Sequence, residues 1–117
     1  MSIAVLEVLN VVAATVSTVS SLLTVVQPQI MSKSREVSAD ERFFAQMYAA
    51  RAVPLGVVTA AAPFVAPSDI TSVRLVLMAA MAVQLVDAGI GIRRREQAMI
   101  VGPSIATIVH GLTAWLT

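Results

Sequence analysis

The sequence predicts an all-α fold, a polytopic membrane protein built as a four-transmembrane-helix bundle in one domain over residues 1–117. Three observations predict it. Hydrophobic residues make up 57% of the chain and charged residues only 13%, against about 25% charged in an ordinary soluble domain. Four predominantly apolar runs are each long enough to cross a ~30 Å hydrocarbon core at ~1.5 Å per residue. The runs are continuously apolar and do not alternate at period two, which selects helices over a barrel.

The first run is Ile3 to Val26. No basic region precedes it, and the following QPQIMSKS contains no Ala-x-Ala cleavage site, so it reads as a retained helix and not a removed signal. The second run is Phe43 to Ala62, preceded by Ser38-Ala39-Asp40-Glu41, an S-x-x-E pattern suited to a capping box. Pro54 should kink this helix and free a carbonyl. The third run is Ser72 to Ile92 and the fourth Gln97 to Thr117. Gln27–Arg42 is a polar connection, Pro63–Thr71 a short one with two prolines, and the last is only Arg93, Arg94, Arg95 and Glu96.

Four spans put the first and third connections on one side of the membrane. That side carries Lys33, Arg35, Arg42, Arg93, Arg94 and Arg95, whereas the other carries Arg74 alone. The positive-inside rule therefore predicts a multi-pass cell-membrane protein with both termini outside the cytoplasm. Membrane lipid is the expected partner, and the arginine triplet is placed to anchor topology at the headgroups.

Composition excludes several functions. The chain has no cysteine, so disulfide scaffolds and thiol nucleophiles are out. Its single histidine, His110, rules out a His-rich metal site within one chain, and no Gly-rich phosphate loop suggests a cofactor. With aromatics at 4% and a net charge of +1, there is no basic-aromatic surface for nucleic acid.

What remains is a set of polar residues inside apolar runs. Arg51 lies near the middle of FFAQMYAARAVPLGVVTAAA, where insertion of an arginine costs about 2.5–3.5 kcal/mol and so demands compensation. Helical spacing groups Glu7, Asn10, Ala14, Ser17 and Ser21 on the first span, and Tyr48 with Arg51 on the second. It groups Gln84, Asp87 and Gly91 on the third, and Thr107, His110 and Gly111 on the fourth. Counted from the basic side, Arg51 lies about 13 Å deep, Gln84 about 12 Å, Asp87 about 7 Å and His110 about 20 Å. Two polar layers are thus expected: Tyr48, Arg51, Gln84 and Asp87 in one, Glu7, Asn10 and His110 in the other. Gln84 and Asp87 are the expected partners of Arg51.

These residue types suit acid–base chemistry on a lipophilic small molecule that enters from the bilayer. The Arg51 fork suits an anionic or developing oxyanionic centre, with Asp87 orienting it. His110 can move a proton near neutral pH, assisted by Glu7. Tyr48 can donate to a carbonyl or epoxide oxygen, and Asn10, Gln84 and Thr107 are candidate ligand contacts. Isomerase, cyclase or epoxide-opening reactions fit this set. Two other classes also fit: proton-coupled transport through Glu7, His110 or Asp87, and a structural or accessory subunit in which Arg51–Asp87 only locks two helices. A bundle of 12.3 kDa gains burial as a homo-oligomer, although no GxxxG motif marks an interface.

The segments YAARAVPLGVV, LVDAGIGI and IVHGLTAWL resemble the small four-helix membrane families grouped with DoxX-like proteins. The matching positions are Arg51 with Gly56, Asp87, and His110 with Gly111; Ala52 and Val53 stand where that pattern often has an aspartate. The resemblance implies a four-helix bundle in the membrane and no particular activity. Small multidrug transporters share the length and an acidic residue in the first span, here Glu7, but their aromatic-rich substrate face is missing.

Overall fold

The structure, a computed structural model, describes residues 2–29 and 35–117. It consists of α1 (Ile3–Val26), α2 (Ala39–Val65), α3 (Ile70–Arg94) and α4 (Gln97–Leu116). All four are long and apolar enough to cross a membrane. The first span has the predicted limits, and the fourth ends one residue early.

The second and third spans are longer than predicted, and their caps explain why. Ser38 Oγ accepts from the Glu41 amide at 3.1 Å, and Asp40 and Glu41 place negative charge in the first turn of α2. At the other end Pro63 lies inside α2 rather than in the connection. Asp69 starts α3 early: Oδ1 accepts from the Ser72 amide at 3.2 Å and Oδ2 from the Ser72 hydroxyl at 2.8 Å. The helix ends where Arg95 enters the left-handed region at φ 57°. There the Arg95 amide donates to Ile92 O and the Glu96 amide to Gly91 O, a Schellman closure.

The helices run antiparallel in sequence order. Asn10 meets Thr59 while Ala14 meets Gly56, and Leu6 meets Thr113 while Asn10 meets His110. This order brings Arg35, Arg42, Arg93, Arg94 and Arg95 to one end of the bundle and leaves Arg74 at the other; Lys33 lies outside the described residues.

Residues are distributed inside out relative to a soluble bundle. Apart from Leu6, Val73 and Leu77, the buried side chains are small or polar, among them Ala14, Ala49, Ala80, Ala106, Asn10, Thr59, Gln84 and His110. The large apolar side chains point outward, as Val12, Leu75, Ile108 and Trp115 do. Hydrocarbon offers no penalty for such exposure, whereas small interior residues let backbones approach and gain dispersion contacts. Two glycines set the closest approaches. A Cβ on Gly91 would sit 2.6 Å from the Met99 carbonyl carbon, at the α3–α4 crossing. A Cβ on Gly56 would overlap Thr18 Oγ1 and lie 3.2 Å from the Ala14 oxygen, at the α1–α2 crossing.

The four neighbouring helix pairs are not equal. The hairpins α1–α2 and α3–α4 are tightly packed and joined along α1–α4, whereas α2 and α3 are the least closely packed neighbours. At the end marked by their short turn, Ala62 and Ala66 pack against the buried cluster of Val73, Leu77 and Ala114. The α2–α3 seam therefore has an apolar plug at one end and little packing along the rest.

Candidate functional site

Behind this seam lies a cavity of about 80 Å³. It has room for a few waters or one polar head group, but not for a drug-sized molecule, which needs roughly 300–1,000 Å³. All four helices line it: Ala14 and Ser17 from α1, Tyr48, Arg51, Leu55, Gly56 and Thr59 from α2, Ala80, Gln84 and Asp87 from α3, and His110 from α4. Of the two polar layers expected from depth counting, all of the first (Tyr48, Arg51, Gln84 and Asp87) and His110 alone of the second line this cavity.

Arg51 is exposed at the seam, and Tyr48 and Asp87 beside it are half-buried. Arg51 and Asp87 are near enough for their charges to act on one another, yet they do not close into a direct ion pair. Gln84, the other expected partner of Arg51, turns elsewhere. Its Nε2 donates to Ser17 Oγ at 3.1 Å, tying α3 to α1 diagonally across the bundle. Arg51 is thus free to meet a group that enters between α2 and α3.

The opposite wall is built from a chain of fixed hydrogen bonds. Pro63 has no amide hydrogen, so the Thr59 carbonyl, four residues earlier, loses its donor within the helix. Asn10 of α1 replaces it, with Nδ2 donating to Thr59 O at 2.9 Å. That bond fixes the orientation of the amide, because a flipped Asn10 would set two acceptor oxygens against each other. Oδ1 must then face His110 Nδ1, 2.7 Å away, and it can only accept. His110 therefore carries its proton on Nδ1, and Nε2 remains as the acceptor on the ring of this cavity-lining residue. Asn10 and His110 are buried, at 0% and 1% exposure, so the arrangement is shielded from competing donors.

The remaining candidates lie elsewhere. Glu7 is half-buried on α1 and does not line the cavity; Asn10, not Glu7, is the partner of His110. Glu7 lies three positions before Asn10, nearly a full turn toward the helix end. The Thr107 hydroxyl donates to Pro103 O at 2.8 Å, occupying another proline-flanked turn outside the cavity. Among the described residues no three His, Asp or Glu side chains gather for metal ligation.

Thr59 was not singled out from sequence. The usable signal is its position four residues before Pro63 and three after Gly56, on the same face as Tyr48 and Arg51. A threonine four residues before a helical proline has a carbonyl in need of a partner, which makes it a junction for another helix.

Comparison of the chain with protein-family models, curated proteins and solved structures returns no match.

Proposed function

We propose that this chain binds a lipophilic small molecule inside the membrane by its polar end and transfers a proton at that end. The observation that carries the reading is a mostly apolar cavity behind the loosest helix seam into which Tyr48, Asp87 and His110 are gathered, with the exposed Arg51 at its mouth. A molecule dissolved in the bilayer reaches such a mouth laterally. Its polar end enters the cavity while its apolar part remains against the outward-facing side chains of α2 and α3. The small cavity volume suits this division, since only the head group needs to be enclosed.

Each lining group has a role in this reading. The Arg51 guanidinium binds an anionic or developing oxyanionic centre in a low-dielectric setting. Asp87 holds the guanidinium toward the cavity through its charge, and Tyr48 donates a hydrogen bond. His110 Nε2 accepts the proton, its tautomer set by Asn10. Gln84 spends its donor on Ser17 and serves as wall. Acid–base reactions of the isomerase, cyclase or epoxide-opening type need this combination of a base and an oxyanion partner.

The charge asymmetry between the two ends of the bundle supports an orientation with the arginine-rich end in the cytoplasm and both termini outside the cell membrane.

The test is native mass spectrometry of the protein released from membranes in a mild detergent. The wild type should retain a small lipophilic molecule, and Arg51→Ala and His110→Ala should retain it less while Thr107→Ala retains it normally. Equal retention in all four proteins, or none in any, would overturn the reading.

A further inference from the structure

We propose that the His110 side of the cavity is a subsite for an uncharged hydroxyl group, held between His110 Nε2 and Thr59 Oγ1, so that the ligand is a lipophilic alcohol. The inference rests on the ligand-binding reading above and names its substrate class.

Thr59 Oγ1 is a buried oxygen with no hydrogen-bond partner among the described residues, on a side chain only 1% exposed. Its isolation is unusual within this fold. Thr18, Thr24, Thr107 and Thr113 all donate their hydroxyls to a carbonyl four residues back on their own helix. Thr59 does not use this local option, and it lines the cavity. A buried hydroxyl left without a partner costs stability unless something from outside the protein completes it.

The second group is His110. One amide, that of Asn10, bonds both the Thr59 carbonyl and the His110 ring, so the two cavity-lining residues are held together from behind. With Nδ1 occupied, Nε2 accepts and cannot donate. The Thr59 hydroxyl can do either. A guest that satisfies both must donate to Nε2 and either accept from Oγ1–H or donate to Oγ1; a hydroxyl donates to Nε2 and accepts from Oγ1–H with a single oxygen. A carbonyl or ether oxygen supplies no proton for Nε2. A carboxylate likewise only accepts, and a cation is disfavoured by Arg51 on the same cavity.

The experiment uses the full chain in lipid nanodiscs and three photo-reactive probes of equal chain length: a primary alcohol, its methyl ether and the parent alkane. Crosslinked peptides are mapped by mass spectrometry. The alcohol should label α2 and α4 around Thr59 and His110 roughly tenfold more than the ether, the effect of one hydrogen bond of ordinary strength. Thr59→Val, which keeps shape and removes the hydroxyl, should abolish that preference, and Thr59→Ser should retain it. Without probe, Thr59→Val should raise Tm, because an unpaired buried oxygen has been removed. Equal labelling of the cavity by alcohol and ether overturns the hydroxyl subsite but leaves lipophile binding intact. Absence of cavity labelling by all three probes overturns both. A lowered Tm in Thr59→Val means that the protein already satisfies this hydroxyl, and overturns the subsite.

Discussion

Asn10 Oδ1 lies 2.7 Å from His110 Nδ1, and this contact decides which ring nitrogen is left as an acceptor in the cavity wall. The decision originates on a third helix. Pro63 leaves the Thr59 carbonyl without a helical donor, Asn10 supplies one, and the amide is thereby oriented for His110. A backbone defect in α2 is thus converted into a tautomer in α4 through a side chain of α1.

This relay predicts a coupling between Asn10 and Pro63. Asn10→Leu should destabilise the protein by about 1–3 kcal/mol, because the Thr59 carbonyl and His110 Nδ1 lose their partners. In a Pro63→Ala background the restored amide can serve Thr59, so the same change should cost roughly 1 kcal/mol less. Thermal unfolding of the four proteins in mild detergent gives the cycle, and strictly additive effects would contradict the relay.

The glycines predict a graded series. Gly91→Ala drives a methyl to 2.6 Å from Met99 backbone, which cannot rotate away, and should cost about 1–3 kcal/mol or more. Gly56→Ala meets mainly the end of the Thr18 side chain, so Thr18→Ala should recover part of its loss. Nothing lies within 4 Å of a Cβ on Gly89 or Gly102, and alanine there should gain up to about 1 kcal/mol of helix propensity. Comparison of unfolding midpoints orders the four substitutions.

Asp69 predicts a pH dependence outside the hydrocarbon region. Its hydrogen bonds from the Ser72 hydroxyl and amide hold its carboxyl below the ordinary value of 3.8. A lowered folded value means that the unfolded chain binds the proton more readily. The stabilisation is therefore complete above the ordinary value and fades as pH falls through the depressed one. Asp69→Asn keeps a capping side chain without the charge. The Tm difference between wild type and Asp69→Asn should thus shrink on acidification toward and below pH 3.8; a constant difference would exclude this origin.

The proposed orientation predicts a labelling pattern, made simple by the absence of cysteine. Ser34→Cys should react with a membrane-impermeant maleimide only after the cells are opened, and Ser68→Cys should react in intact cells. Reaction of both from the same side would be incompatible with four spans.

Hydrophobic run length and the polar stripes were enough to locate the four helices and most of the cavity lining. Tyr48, Arg51, Gln84, Asp87 and His110 all reach one cavity because residues three or four apart share a helix face. Helix ends were harder to read. The extension of α2 past Pro63 depends on a carbonyl being rescued by Asn10, 49 residues away in sequence. Depth counting also separated His110 from Arg51, since a count along straight helices carries no information about lean or side-chain reach.

The sequence by itself determined the class of solvent, the number of spans and the faces that carry polar groups, because these follow from composition and from the period of the helix. Only the tertiary structure decided the partners. Gln84 bonds Ser17 instead of Arg51, Asn10 displaces Glu7 beside His110, and Thr59 is left with an unpaired hydroxyl. Hydrogen bonds act over about 3 Å between groups on different helices, so a rotation or lean of one helix reassigns them. No periodicity along a single strand of sequence encodes such a choice.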